Sequence, residues 1–255
     1  MLDLLRRAFA KPPEPGHIDL MVAGEPLRVT VRKAAAARRF TLRVRAATRD
    51  VVLTMPARGS MAKAREFALR HADWLEARLV RLPQTIAFAP GNVIPVRGVD
   101  HLVVHRPAAR RTVWVEVAPG ASPQGAGVLL CVSGELAHVP RRIADHLKKE
   151  ARRDLEAAVA HHARQIAKPV RKVALRDTTS RWGSCSSRGS LNFSWRLIMA
   201  PSYVLDYLAA HEVAHLVHMD HSASFWTLAG TLAPDLAKAE AWLKLNGSGL
   251  HRYGA

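Results

Sequence analysis

Four of the chain's 13 histidines fall in one run, HEVAHLVHMDH, from His211 to His221. His211 and His215 are four residues apart. On a helix they share a face, about 40° from each other. Two imidazoles so placed can grip one zinc ion at about 2.0–2.1 Å. Glu212 projects about 100° further round the helix, off the ligand face but within reach of a water at the metal. This is H-E-x-x-H, in which the glutamate acts as general base. A third ligand is needed. His218 lies seven residues after His211, about 10.5 Å along a helix axis, and helical side chains lean backwards, so it converges poorly. It suits a hydrogen bond to a ligand or a cap at the helix end. His221 can converge if the helix breaks near Met219, where Asp220 and Ser222 tolerate a turn. That favours His221, with Glu240 and Asp235 on a later helix as the alternatives.

Upstream, Arg181 and Asn192 are candidates for contacting substrate or a developing oxyanion. Arg181 can hold a carboxylate, a phosphate or the oxyanion. Asn192 lies on the strand Leu191–Arg196, which could pair with an extended substrate. The competing reading of RWGSC (181–185) is a structural corner, with Trp182 in the core and Arg181 paired to a local acid. Cys185 has no activating neighbour in sequence and reads as a small buried residue. Tyr203 and Tyr207, at helical spacing, read as packing residues or oxyanion donors.

The elements that must position these groups are legible as pattern. PLRVTVR, FTLRVR and VVLTMP alternate apolar and polar residues, as strands with one face in water do. Ser60 can cap a helix running to about residue 82. Residues 86–133 are β-rich again, punctuated by Gly and Pro. After Pro140, Ile143, Leu147, Ala151, Leu155, Val159, His162 and Ile166 recur every three or four residues, the seam of a long buried helix. Two strand signals surround a Ser/Gly turn near 186–190. A helix SYVLDYLAAHEVAHLVHM follows Pro201 and carries the histidines, and a last helix runs from Pro234 to Gly247. The fold class is α+β: a β-rich amino-terminal region, then a compact domain with its histidine-bearing helix beside a small antiparallel sheet. The expected parts are a tail (1–16), the β-rich region (17–135) and the histidine-bearing domain (136–255). No internal repeat is apparent.

Composition bounds the function. With 49% apolar and 23% charged residues the chain is an ordinary globular one. No stretch reaches the ~20 apolar residues of a membrane span, and the first residues lack a signal-peptide pattern. Two cysteines, Cys131 and Cys185, make no disulfide framework and fit a reducing cytoplasm. The net charge is +17, and residues 1–111, with 21 Lys/Arg against 9 Asp/Glu, supply +12 of it. Such a surface can attract nucleic acid or nucleotides. Arg makes up 29 of the 38 cations, however, which codon bias in a GC-rich genome also produces.

The segment RWGSCSSRGSLNFSWRLIMAPSYVLDYLAAHEVAHLVHMDHSASFW resembles the YgjP-like metallopeptidase domain, a relative of the SprT and WLM zinc peptidases. The resemblance is strongest over 178–226 and weaker toward the amino terminus. It implies that 136–255 is a zincin-like metallopeptidase domain whose active-site helix holds one zinc ion on His211, His215 and His221, with Glu212 as base. The spacing of the three histidines also matches metzincins, but His218 stands where they have glycine and no Met-turn is evident. The sequence therefore points to a cytoplasmic zinc metallohydrolase acting on a peptide or protein. The alternatives are a metal-dependent hydrolase of nucleotide phosphoanhydrides, or a nucleic-acid-associated protein with a structural metal. Oligomeric state is not legible.

Overall fold

The computed structural model describes residues 16–45, 49–82, 84–118 and 127–254. The chain divides after residue 83 into two compact units. In the first, strands β1 (Gly16–Val22), β2 (Glu25–Ala34), β3 (Thr41–Val44) and β4 (Val51–Pro56) form a sheet of order β1-β2-β4-β3. One face buries Ile18, Leu20, Val29, Val31, Val51, Leu53 and Met55, and helices α1 (Met61–Arg70) and α2 (Ala72–Val80) cover it. The opposite face carries Thr30, Arg32, Thr41, Arg43 and Thr54, as the period-two alternation requires. Ser60 caps α1, its hydroxyl accepting from Lys63 N at 3.3 Å. The single helix expected over 60–82 is two, because at His71 the backbone leaves helical geometry. The expected tail, apart from Gly16, lies outside the described residues.

The second unit opens with β5 (Val93–Val96), β6 (Val99–His105), β7 (Val113–Val117) and β8 (Val128–Val132), in the order β5-β6-β8-β7. Helix α3 (Val139–Gln165) follows. Its seam is the one read from the sequence: Ile143, Leu147, Ala151 and Leu155 are fully buried, and only Ile166, just past the helix, is partly exposed. Strands β9 (Lys172–Arg176), β10 (Gly183–Cys185) and β11 (Ser190–Ser194) make a three-stranded sheet. It is mixed, not purely antiparallel, because β9 joins β11 in parallel. Helices α4 (Ser202–Ala214), α5 (Ala223–Leu232) and α6 (Leu236–Asn246) complete the unit. The class is α+β, and no helix among the described residues is long and apolar enough to cross a membrane.

Two corrections to the sequence reading follow. The boundary expected at residue 135 would cut through one core, in which Ile94, Val96, Leu130 and Val132 pack with α3 and α4. The division lies instead at residue 83. The chain also does contain a repeat. Both four-stranded sheets have the same order and the same pairing senses, with an antiparallel hairpin, a parallel central pair and an antiparallel edge. Their hairpin turns match as well: Ala23 and Gly24 have φ of 53° and 80°, Arg97 and Gly98 have 52° and 77°. Two successive positive φ values are the type I′ turn that suits strand twist. In the second unit this turn also positions helix α4. Arg97 is ion-paired to Asp154 (2.6 Å) and Glu150 (2.8 Å) of α3. Its amide donates to the Ile198 carbonyl at 2.6 Å, and a Cβ at Gly98 would press on Pro201, the residue before α4.

Candidate metal centre

Helix α4 is nearly apolar all round, with Val204, Leu208, Ala209, Ala210 and Val213 buried, so it runs through the core. His211 and Glu212 lie in its last turn and His215 caps it. The helix ends at Ala214, earlier than the break expected near Met219. A turn at 215–217 redirects the chain, and Asp220 Oδ1 accepts from Ser222 N at 3.3 Å to shape the return. His221 thereby faces its two predecessors. One ligand nitrogen from each of His211, His215 and His221 lies within 4.8 Å of the others. The Nε2 atoms of His211 and His221 are 3.3 Å apart. Two nitrogens bound to one tetrahedral zinc at ~2.0–2.1 Å would be separated by about 3.3 Å.

The rings are held from outside. His215 Nδ1 lies 2.9 Å from the His218 carbonyl, and a carbonyl only accepts, so Nδ1 carries the proton and Nε2 keeps its lone pair for the centre of the triad. His218 thus contributes its backbone oxygen. Helix α5, which hydrophobic periodicity does not announce, supplies an aromatic wall. Phe225 stacks on His215 at 4.5 Å between centroids and meets His211 and His221 edge-on at 4.9 and 4.8 Å. Trp226 lies 5.6 Å from His221. Burial lowers the basicity of His211 to a pKa of about 4, with His215 and His221 adding to the effect, so its ring is neutral and presents a lone pair at neutral pH.

Glu212 is 4% exposed, and its Oε2 is buried without a hydrogen-bond partner. Burial pushes its carboxyl up to about 7, against a smaller downward pull from Arg181. The Arg181 side chain has no hydrogen bond or ion pair among the described residues, and the acid that feels its charge is Glu212. Trp182 is half-buried and stacks on His251 at 5.1 Å, as a structural corner would have it. Next to it, Gly183 is where β10 crosses Glu212: a Cβ there would collide with the Glu212 carboxylate. The Cys185 thiol is driven up to about 11, chiefly by burial, which leaves no thiolate.

Strand β11 is the centre of its sheet, flanked by β10 and β9, so it has no free edge to offer a substrate. The free edge beside Glu212 belongs to β10. Asn192 donates to Ser184 Oγ at 3.3 Å and lines, with Arg181, a cavity of about 310 Å³. A second cavity of about 330 Å³ touches His211 and Glu212 and is walled by Trp182, Tyr207, Leu243 and Glu240. Glu240 and Asp235, the alternative ligands, stand outside the triad. Glu240 accepts from the Tyr207 hydroxyl at 2.9 Å, and Asp235 is exposed at the start of α6.

A family model described as the YgjP-like metallopeptidase domain matches residues 38–246. The chain belongs to this family. Among solved structures, the metallopeptidase zymogen of Pyrococcus abyssi abylysin is similar at 22% identity and a TM-score of 0.32, over 36% of this chain and 94% of that one. No curated protein matches. What the YgjP-like site owes to residues far from its motif was not legible in sequence. Phe225 and Trp226 follow the histidine run and were readable only as part of the resemblance. The Tyr207–Glu240 contact joins residues 33 positions apart and has no local signal.

Proposed function

We propose that the protein is a zinc-dependent metallopeptidase in which His211, His215 and His221 hold one zinc ion and Glu212 is the general base. The observation that carries this reading is the buried, unpartnered Oε2 of Glu212 beside three converging imidazoles. A carboxylate is not left without a partner in the interior unless something comes to it. The donor set fits the metal: three histidine nitrogens suit zinc, and three protein ligands are the pattern of a catalytic site, whereas structural sites carry four. Among the described residues no fourth Cys, Asp or Glu joins the group. Zinc supplies Lewis acidity toward a peptide carbonyl and toward water. Glu212 takes the proton of the attacking water on Oε2 and passes it to the leaving amine, for which a pKa near 7 is well matched. The open edge of β10 offers backbone N–H and C=O groups to an extended peptide. Arg181, unpaired, is available to a substrate carboxylate or the developing oxyanion.

The unbonded Cys131 and Cys185 suit a reducing compartment, and the net charge of +12 on residues 1–111 suits a polyanion. The test is a parallel assay of the zinc-loaded protein on a labelled unfolded protein and on nucleoside triphosphates. Cleavage of the polypeptide, abolished by Glu212→Gln, supports the reading. Hydrolysis of the nucleotide alone, with the same dependence on Glu212, would replace peptidase by phosphoanhydride hydrolase.

A further inference from the structure

We infer that Tyr207 and Glu240 form a relay that fixes the orientation and tautomer of His211, with Glu240 acting as a positioning residue and not as a ligand. This rests on the reading of His211 as a zinc ligand and deepens it. The Nε2 of His211 faces the triad, 3.3 Å from His221 Nε2. Its other nitrogen, Nδ1, faces the Tyr207 hydroxyl at 3.4 Å, a long contact. Tyr207 lies one helical turn before His211, its ring edge-on at 5.8 Å between centroids, and is 4% exposed. Its hydroxyl reaches Glu240 Oε1 on α6 at 2.9 Å.

The direction of the chain follows from donor and acceptor chemistry. A carboxylate only accepts, so the phenol proton goes to Glu240. The phenol oxygen can then only accept from the imidazole, so His211 Nδ1 carries the proton and Nε2 carries the lone pair. The His218 carbonyl does the same for His215 directly. Metal-bound histidines are commonly oriented in this way by an acceptor on the far nitrogen, whose loss typically costs about 10–100-fold in metal affinity. Here a tyrosine stands between histidine and carboxylate, and it ties α6 to the active-site helix.

The experiment is zinc affinity by chelator competition, with the imidazole ¹⁵N shifts of the zinc-loaded protein and the melting temperature of the metal-free protein. Tyr207→Phe and Glu240→Leu should each weaken zinc about 10–100-fold, with the metal-free melting temperature little changed. Glu240→Gln, whose amide oxygen still accepts from the phenol, should stay close to wild type. In Tyr207→Phe the His211 Nδ1 shift should move and the His215 shift should not. If Glu240→Gln loses zinc as completely as Glu240→Leu while Tyr207→Phe keeps it, Glu240 is a ligand and the relay is wrong. Unchanged zinc affinity in both Tyr207→Phe and Glu240→Leu also overturns it. Full zinc in His211→Ala would instead overturn the underlying assignment of the triad.

Discussion

Gly183→Ala tests how closely β10 is fitted to the base. The glycine has an ordinary backbone, so alanine meets no torsional barrier there. What it meets is Glu212: the new Cβ would stand 2.8 Å from both Cγ and Cδ and collide with the carboxylate oxygen. Ordinary contact begins near 3.4 Å, so strand and side chain must separate by about 0.6 Å or more. A misplacement of ~1 Å at a reacting group can cost ~10²-fold, so kcat should fall about 10–100-fold. Overpacking of this kind costs about 1–3 kcal/mol. At roughly 2–4 °C per kcal/mol for a domain of this size, the melting temperature should drop by about 2–12 °C. The assay is kcat on an unfolded polypeptide, with zinc content and melting temperature from the same preparation. Glu212→Asp shortens the side chain by one methylene, so in the double variant the two losses should be less than additive. Full activity in Gly183→Ala would refute the reasoning. Loss of zinc in step with activity would show that the strand acts on the ligands and not on the base.

Three further outcomes are expected. His221→Ala should weaken zinc binding by more than the ~10–100-fold cost of losing an outer partner, while Asp235→Ala keeps full metal; a zinc-replete His221→Ala protein contradicts the triad. Glu substitutions at Arg32 and Arg43, on the water-facing side of the first sheet, should weaken binding to single-stranded DNA, and wild-type affinity should fall steeply between low and physiological salt; affinity indifferent to salt refutes the idea. Asp177 is held below the usual carboxylate range: burial acts to raise it, but the Arg196 guanidinium, at 2.6 and 3.1 Å, outweighs burial. A depressed folded pKa stabilises above the unfolded value of ~3.9 and is lost as pH falls through the folded one. The melting-temperature gap between wild type and Asp177→Asn should therefore be open at pH 6 and close toward pH 2; a gap independent of pH contradicts the ion pair's role.

The parts of this fold that were legible in sequence are those set by local periodicity. The seam of α3, from Ile143 to His162, was readable because a helix buried along one stripe must repeat every three to four residues. The i, i+4 pair of His211 and His215 was readable for the same reason. The domain boundary was not. Alternation announces strands but not which sheet they join, so two sheets on either side of residue 83 read as one β-rich region. Their common topology was hidden too, because sheet order lives in pairing and not in composition. The free edge was misassigned to Leu191–Arg196 for that reason, since only the register of β9 on β11 shows that strand to be central. At the site, Gly183 carried no sign of its contact with Glu212, and Tyr207 no sign of Glu240, because both contacts are tertiary.

The central claim is that Glu212 moves a proton and does not hold the metal. It is tested most directly by measuring peptide hydrolysis, zinc content and melting temperature together on wild type and Glu212→Gln. Glutamine is nearly isosteric with the buried side chain and can still hydrogen-bond water, but it cannot accept a proton. The account predicts equal zinc in the two proteins, closely similar melting temperatures, and a kcat lower by about 10²–10⁴-fold with KM changed far less. Retained hydrolysis in Glu212→Gln, or loss of its zinc, would contradict it.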